Sequence, residues 1–154
     1  MRILDYLCDN CIETDLEAES KEDVLRLLAE KAEAVRPELK ASDVFGVLKE
    51  REALGSTGIG GGIAIPHGKL QGLERLTIIL FRSMKGVPFD SLDKRPVSVI
   101  CLLLAPDDAA PIYLRILARV SRVLKDQKTF EGLMAAADAA GIKEVIGQAE
   151  SVIR

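Results

Sequence analysis

The chain's one histidine, His67, ends a glycine-dense run, Gly55-Ser56-Thr57-Gly58-Ile59-Gly60-Gly61-Gly62-Ile63-Ala64-Ile65-Pro66-His67-Gly68. Five of the twelve glycines fall between positions 55 and 62. Glycine lets main-chain N–H groups approach a ligand and tolerates positive φ. A concave set of such groups binds anions, phosphate above all. A neutral imidazole titrates near ~6.5 and keeps a lone pair at physiological pH, which makes it a competent nucleophile for a phosphoryl group. The predicted chemistry is therefore phosphoryl transfer through His67. Ser56, Thr57, Gly58, Gly60 and Gly62 are expected to line the phosphate, and Gly68 to leave room for a donor protein. The cation expected to stabilise the transferring oxygens is Arg51, at the end of the segment that leads into the loop.

Other phosphate and nucleophile motifs fail residue by residue. A P-loop needs Lys and Ser/Thr after its second glycine; Gly55 and Gly60 have the separation, but Gly61 and Gly62 occupy those places. The dinucleotide pattern from Gly58 meets Ile63, and from Gly60 it meets Ile65, where glycine is required. Ser56 does not sit in a nucleophile elbow, so serine hydrolase chemistry has no support. No cofactor is expected. Cys8 and Cys11 have half a zinc spacing with no second pair to complete it, so no metal site is predicted. Cys8, Cys11 and Cys101 are read as small, semi-buried thiols without a redox role.

Elements must hold these residues in place. At 154 residues with 48% apolar and 29% charged residues, the chain fits one globular domain, 1–154. The net charge of −3 argues against a nucleic-acid footprint, and Arg115, Arg119 and Arg122 are read as a solvated stripe. Met1 to Asp5 is broken by charge before any leader-like core forms, and the longest apolar stretch, 97–105, is far short of the about 20 residues a spanning helix needs. A cytosolic protein without direct membrane insertion is expected. A short helical turn over 3–7 precedes a strand near 11–16. Ser20 opens a helix by a capping-box pattern, and Pro37 ends it. A second helix runs from Ser42 to Gly55. Pro66 holds Ile65 extended at the end of a short strand, 63–65. Strands are predicted at 77–81 and 97–104, the latter apolar on both faces as a central strand would be. Asp107 or Asp108 should cap a third helix with Pro111 in its first turn and Tyr113, Leu117, Val120 and Leu124 facing the sheet. Helices over 129–137 and 142–153 complete the chain. Strands interleaved with helices predict an α/β architecture, a mixed central sheet sandwiched between helices.

The eighteen positions Arg51-Glu52 through Gly68 resemble the phosphorylation segment of the fructose/mannitol-type (type 2) enzyme IIA of the bacterial phosphoenolpyruvate-dependent phosphotransferase system. Pro88-Phe89-Asp90 and Leu103-Leu104-Ala105-Pro106 are similar to its downstream landmarks. The resemblance spans nearly the whole chain and implies the enzyme IIA mannitol/fructose-type fold. It implies that His67 takes a phosphoryl group from the carrier protein HPr or a relative, and that Arg51 contacts the phosphorylated ring. The family's second active-site histidine is replaced here by Tyr113, which can donate a hydrogen bond but carries no charge at neutral pH. Among free-standing members the chain is most similar to the nitrogen-related enzyme IIA, which implies a phosphocarrier whose output is regulatory binding to a target protein. Two alternatives are a transport component that hands phosphate to a sugar-specific IIB, and a binding module that acts without phosphorylation.

Overall fold

The structure, a computed structural model, describes residues 1–153. A 3-10 turn, Ile3–Asp5, leads into β1 (Leu7–Glu13), followed by α1 (Lys21–Val35) and α2 (Ala41–Ala53). Three short strands follow, β2 (Gly58–Gly60), β3 (Ile63–Ala64) and β4 (His67–Lys69). Two long strands, β5 (Thr77–Val87) and β6 (Val97–Ala105), precede α3 (Ala110–Lys125), α4 (Gln127–Ala135) and α5 (Ala139–Val152).

The strands form one six-stranded mixed sheet in the order β1-β5-β6-β3-β2, with β4 also paired to β6. The β5–β6 and β2–β3 pairs are antiparallel; β1–β5, β3–β6 and β4–β6 are parallel. Apart from half-buried Ser98, every residue of β6 is buried. That is the condition of a central strand covered on both faces, and it matches the two-faced apolar pattern of 97–104. α1 packs on α2, whereas α3, α4 and α5 pack on one another. No helix among the described residues is long and apolar enough to cross a membrane.

Local sequence accounts for most boundaries. Ser20 Oγ accepts from the Asp23 N–H at 3.0 Å and starts α1 as its pattern predicts. Pro111 lies in the first turn of α3, where its missing N–H costs nothing. Neither Asp107 nor Asp108 caps that helix, however: the N-cap is Ala109, without a side-chain hydrogen bond. β5 continues six residues beyond the predicted strand because Arg82 interrupts the apolar pattern without leaving the sheet. Arg82 is buried, and its guanidinium donates to the carbonyls of Thr14 (2.9 Å), Leu133 (2.8 Å) and Ala136 (2.6 Å). Three carbonyl acceptors supply what water would otherwise provide.

Two features depart from the sequence-based picture. The glycine run is not an open loop but a tight hairpin, β2 to β3, whose turn places Gly60, Gly61 and Gly62 at φ of 93°, 66° and 81°. Successive positive φ values disfavour side chains, which explains three adjacent glycines. Cys8 and Cys11 are joined in a disulfide within β1, not left as separate thiols. A bulge in β1 brings them together, a feature that residue spacing does not reveal. Cys101 remains a free, buried thiol, pushed up to about 12 by burial.

Candidate active site

The C-terminal end of α2, the first residue of β4 and the first turn of α3 converge on one imidazole. His67 follows Pro66, whose carbonyl accepts from Leu103 N at 3.0 Å, so the ring is fixed at the start of a strand paired to the central β6. Its Nδ1 lies 2.8 Å from the Ile65 carbonyl, and its Nε2 lies 3.3 Å from Arg51 Nε. A carbonyl only accepts and a guanidinium N–H only donates. The neutral ring therefore carries its proton on Nδ1 and its lone pair on Nε2. Burial holds the imidazole below its ordinary proton affinity. The Ile65 hydrogen bond works against that shift, the Arg51 charge adds to it and the Glu52 charge opposes it.

Arg51 is held from a second side, since its Nη1 donates to the Gly55 carbonyl at 3.0 Å. Gly55 has a φ of 144°, which lets the chain turn back over the guanidinium immediately after α2. Tyr113 is buried, with its ring centroid 5.9 Å from that of His67 at an interplanar angle of 60°. Burial pushes its phenol up to about 12 despite the Arg51 charge, so it stays protonated and able to donate. The ring thus packs edge-on against the His67 imidazole rather than filling the core remotely. Of the α3 residues expected to face the sheet, Val120 and Leu124 are buried and Leu117 half-buried.

Sequence reasoning missed three charged neighbours. Glu52 follows Arg51 directly, and residue type alone assigns it no role. Its carboxylate accepts from the Thr57 N–H at 3.0 Å and from the Thr57 hydroxyl, and it pairs with Lys21 Nζ at 2.8 Å. This network ties the start of α1 to the end of α2 and to the turn that holds Arg51. The Lys21 ammonium also lies 4.9 Å from the centroid of Phe89. Lys69, two residues along β4 from His67, lies 5.8 Å from the centroid of Tyr113. The period of two along a strand is the signal that would have found it.

The glycine segment shapes the site in another way than expected. The N–H groups of Thr57, Gly58 and Gly61 already donate to Glu52, Ser56 Oγ and Asp93 Oδ2. They fix the loop's form and are not bare amides awaiting an anion. Ser56 Oγ also donates to the Phe89 carbonyl at 3.3 Å, and Leu92 N donates to the Gly58 carbonyl. The segment around Phe89 is thus the backing of the loop. A Cβ on Gly58 would collide with Ser91, and one on Gly62 would crowd Phe130. Gly68 does not leave space for a partner: it is buried, and a Cβ there would overlap the Val47 methyl of α2. Gly60 lies in the hairpin turn beside Asp93.

Comparison with known proteins agrees with this geometry. The family described as "Phosphoenolpyruvate-dependent sugar phosphotransferase system, EIIA 2" matches residues 5–149. The chain is 40% identical over 146 residues, 95% of each chain, to a nitrogen regulatory protein of Bradyrhizobium diazoefficiens. It superposes with a TM-score of 0.86 and 34% identity on the nitrogen regulatory protein IIA-Ntr of Neisseria meningitidis, covering 92% of this chain and 97% of that one. Mannitol enzyme IIA of Escherichia coli, solved in complex with phosphorylated enzyme IIB, shares the fold at a TM-score of 0.76 and 18% identity, covering 92% and 97%. With the motif, the mixed sheet and the near-complete span in agreement, the chain belongs to the type 2 enzyme IIA family of the phosphoenolpyruvate-dependent sugar phosphotransferase system.

Proposed function

We propose that the protein is a phosphocarrier in which His67 Nε2 accepts a phosphoryl group from an HPr-type phosphocarrier and releases it to a second acceptor. The carrying observation is the pair of contacts on one ring: Nδ1 held by the Ile65 carbonyl and Nε2 faced by Arg51. In the forward step the Nε2 lone pair attacks phosphorus as the donor's P–N bond breaks, and the bonding pair returns to the donor nitrogen. Because Nδ1 keeps its proton, the phosphorylated ring is cationic, and the Ile65 carbonyl stabilises that charge. A cationic ring is a good leaving group, so the same arrangement favours onward transfer. The Arg51 Nε–H that meets the lone pair in the free protein turns to a phosphoryl oxygen once phosphorus is bound, and Gly55 keeps the guanidinium aimed. Tyr113 donates to the phosphoryl group without adding charge.

The output we favour is regulatory: the phosphorylated and free forms bind a target protein differently, in keeping with the similarity to nitrogen regulatory proteins. Such exchange among carrier proteins takes place in the cytoplasm. Incubation with phosphoenolpyruvate, enzyme I and HPr is expected to give an acid-labile, alkali-stable phosphoprotein. His67→Ala is expected to abolish the label while circular dichroism and unfolding midpoint are retained. Label persisting in that variant would overturn the assignment.

A further inference from the structure

The disulfide in β1 is not accounted for by phosphoryl transfer. In a regular strand, Cα atoms three residues apart are separated by about 10 Å. A disulfide tolerates only about 4.4–6.8 Å. Cys8 and Cys11 have Cα atoms 5.1 Å apart, so β1 must fold back on itself between them. The pairing with β5 shows where this happens. Leu7 opposes Ile78 and Ile12 opposes Leu80, so five residues of β1 span the same stretch as two of β5. Cys8, Asp9, Asn10 and Cys11 occupy that bulge.

Both ends of the bulge are anchored independently of the sulfur bond. Before it, Ile78 N donates to the Tyr6 carbonyl, and the N–H groups of Ile3 and Leu4 donate to buried Glu150, which also accepts from Arg119 Nε at 2.6 Å. After it, Ile12 and Glu13 pair with β5. A link between residues only three apart in sequence restricts the unfolded chain little, so it adds little of the stability that long-range cross-links supply. Its consequence is local: the extra residues stay looped out between two fixed ends, and the bond decides whether that loop is held closed. The strand lies at the sheet edge, where no further strand among the described residues covers it.

Exposure is divided between the two sulfurs. Cys8 is half-buried and flanked by exposed Asp9 and Asn10, whereas Cys11 is fully buried. We propose that Cys8 and Cys11 are a reversible thiol-exchange site, entered at Cys8 by a cellular thiol reductant, that switches the β1 edge between a closed, cross-linked bulge and an open, more mobile one. In reduction a thiolate attacks Cys8 Sγ and the Cys8–Cys11 bond breaks. Cys11 Sγ leaves with the bonding pair and takes a proton from water. A second thiol then attacks the reductant's sulfur in the mixed disulfide and frees Cys8. The balance is one protein disulfide plus two thiols giving one protein dithiol plus one small disulfide. Oxidation by the small disulfide reverses each step.

The test uses the full-length folded protein in glutathione buffers of varied reduced-to-oxidised ratio, with dithiothreitol as a second reductant. Samples are acid-quenched, denatured and alkylated, and intact mass counts the free thiols. Buried Cys101 alkylates only after denaturation and serves as the internal reference. One adduct in oxidising buffer, three in reducing buffer, and a reversible transition between them without unfolding are expected. The Cys11→Ser variant should form a mixed disulfide with glutathione through Cys8, and the Cys8→Ser variant should not react while folded. Hydrogen exchange at residues 8–11 is expected to rise about tenfold or more on reduction, with residues 12 and 13 unchanged. A bond that resists both reductants until the protein unfolds, a mixed disulfide at Cys11, or exchange indifferent to redox state would each overturn the proposal. None of these readouts depends on His67.

Discussion

At the residue scale, two hydrogen bonds divide the labour of one imidazole. Burial chiefly, and Arg51 in addition, hold the folded proton affinity of His67 below the ordinary 6.5. The unfolded chain therefore takes up the proton more readily. The stability contributed by the neutral ring is fully present above about 6.5 and is lost as pH falls through the lower folded value. The proposed phosphorylation needs the same neutral ring, so the labelling rate is expected to hold through neutrality and to fall only below the ordinary histidine range. Arg51→Ala removes a charge that lowers that affinity and the proposed donor to the phosphoryl group. It is expected to move the His67 midpoint upward and to slow labelling about 100-fold, without unfolding the domain. NMR titration of the single histidine and a timed labelling assay check both; an unchanged midpoint and rate would assign Arg51 to structure.

At the element scale, the site depends on how closely α2 approaches β4. Gly68 is the contact point, and Val47 sits one helical turn before Arg51 on the same face. A methyl group at 68 must displace a β-branched side chain that has little rotamer freedom in a helix. Gly68→Ala is thus expected to cost about 1–3 kcal/mol in denaturant unfolding and to slow labelling by misplacing Arg51. Wild-type stability and rate would contradict this packing account. Much of the site was legible beforehand. The arginine and the histidine were named from residue type and motif, and the tyrosine that meets them came from the resemblance, as the residue at the family's second histidine position. The purpose of the glycines was not, because a sequence does not say whether a bare backbone faces a ligand or another segment. Gly58 faces Ser91 and Gly68 faces Val47, partners distant in the chain. The disulfide escaped for a related reason: the spacing of Cys8 and Cys11 suits a bond only once β1 is bulged.

At the scale of the whole molecule, α1–α2 and α3–α5 form separate groups around one buried strand pair, β5 and β6. The interleaving of strands and helices predicted a sheet sandwiched between helices, and the double-sided apolarity of 97–104 identified its central strand; which helices group together was not predicted. The least legible element of the core is Arg82, because a charge in a strand ordinarily marks the surface. Here it joins the turn after β1 to the end of α4 through three carbonyls. Arg82→Met is expected to leave those carbonyls buried without a donor and to cost about 3 kcal/mol, seen as a lower denaturation midpoint at unchanged slope. A midpoint equal to wild type would show that water replaces the guanidinium.

The central claim, that phosphorus is carried on His67 Nε2 while Nδ1 keeps its proton on the Ile65 carbonyl, is open to one direct measurement. Because the chain has a single histidine, a nitrogen-15 NMR spectrum of the phosphorylated protein reports that ring alone. Phosphorus coupling at Nε2 with a retained Nδ1 proton is the predicted result. Coupling at Nδ1, or a phosphoprotein whose histidine resonances are unchanged, would contradict the account.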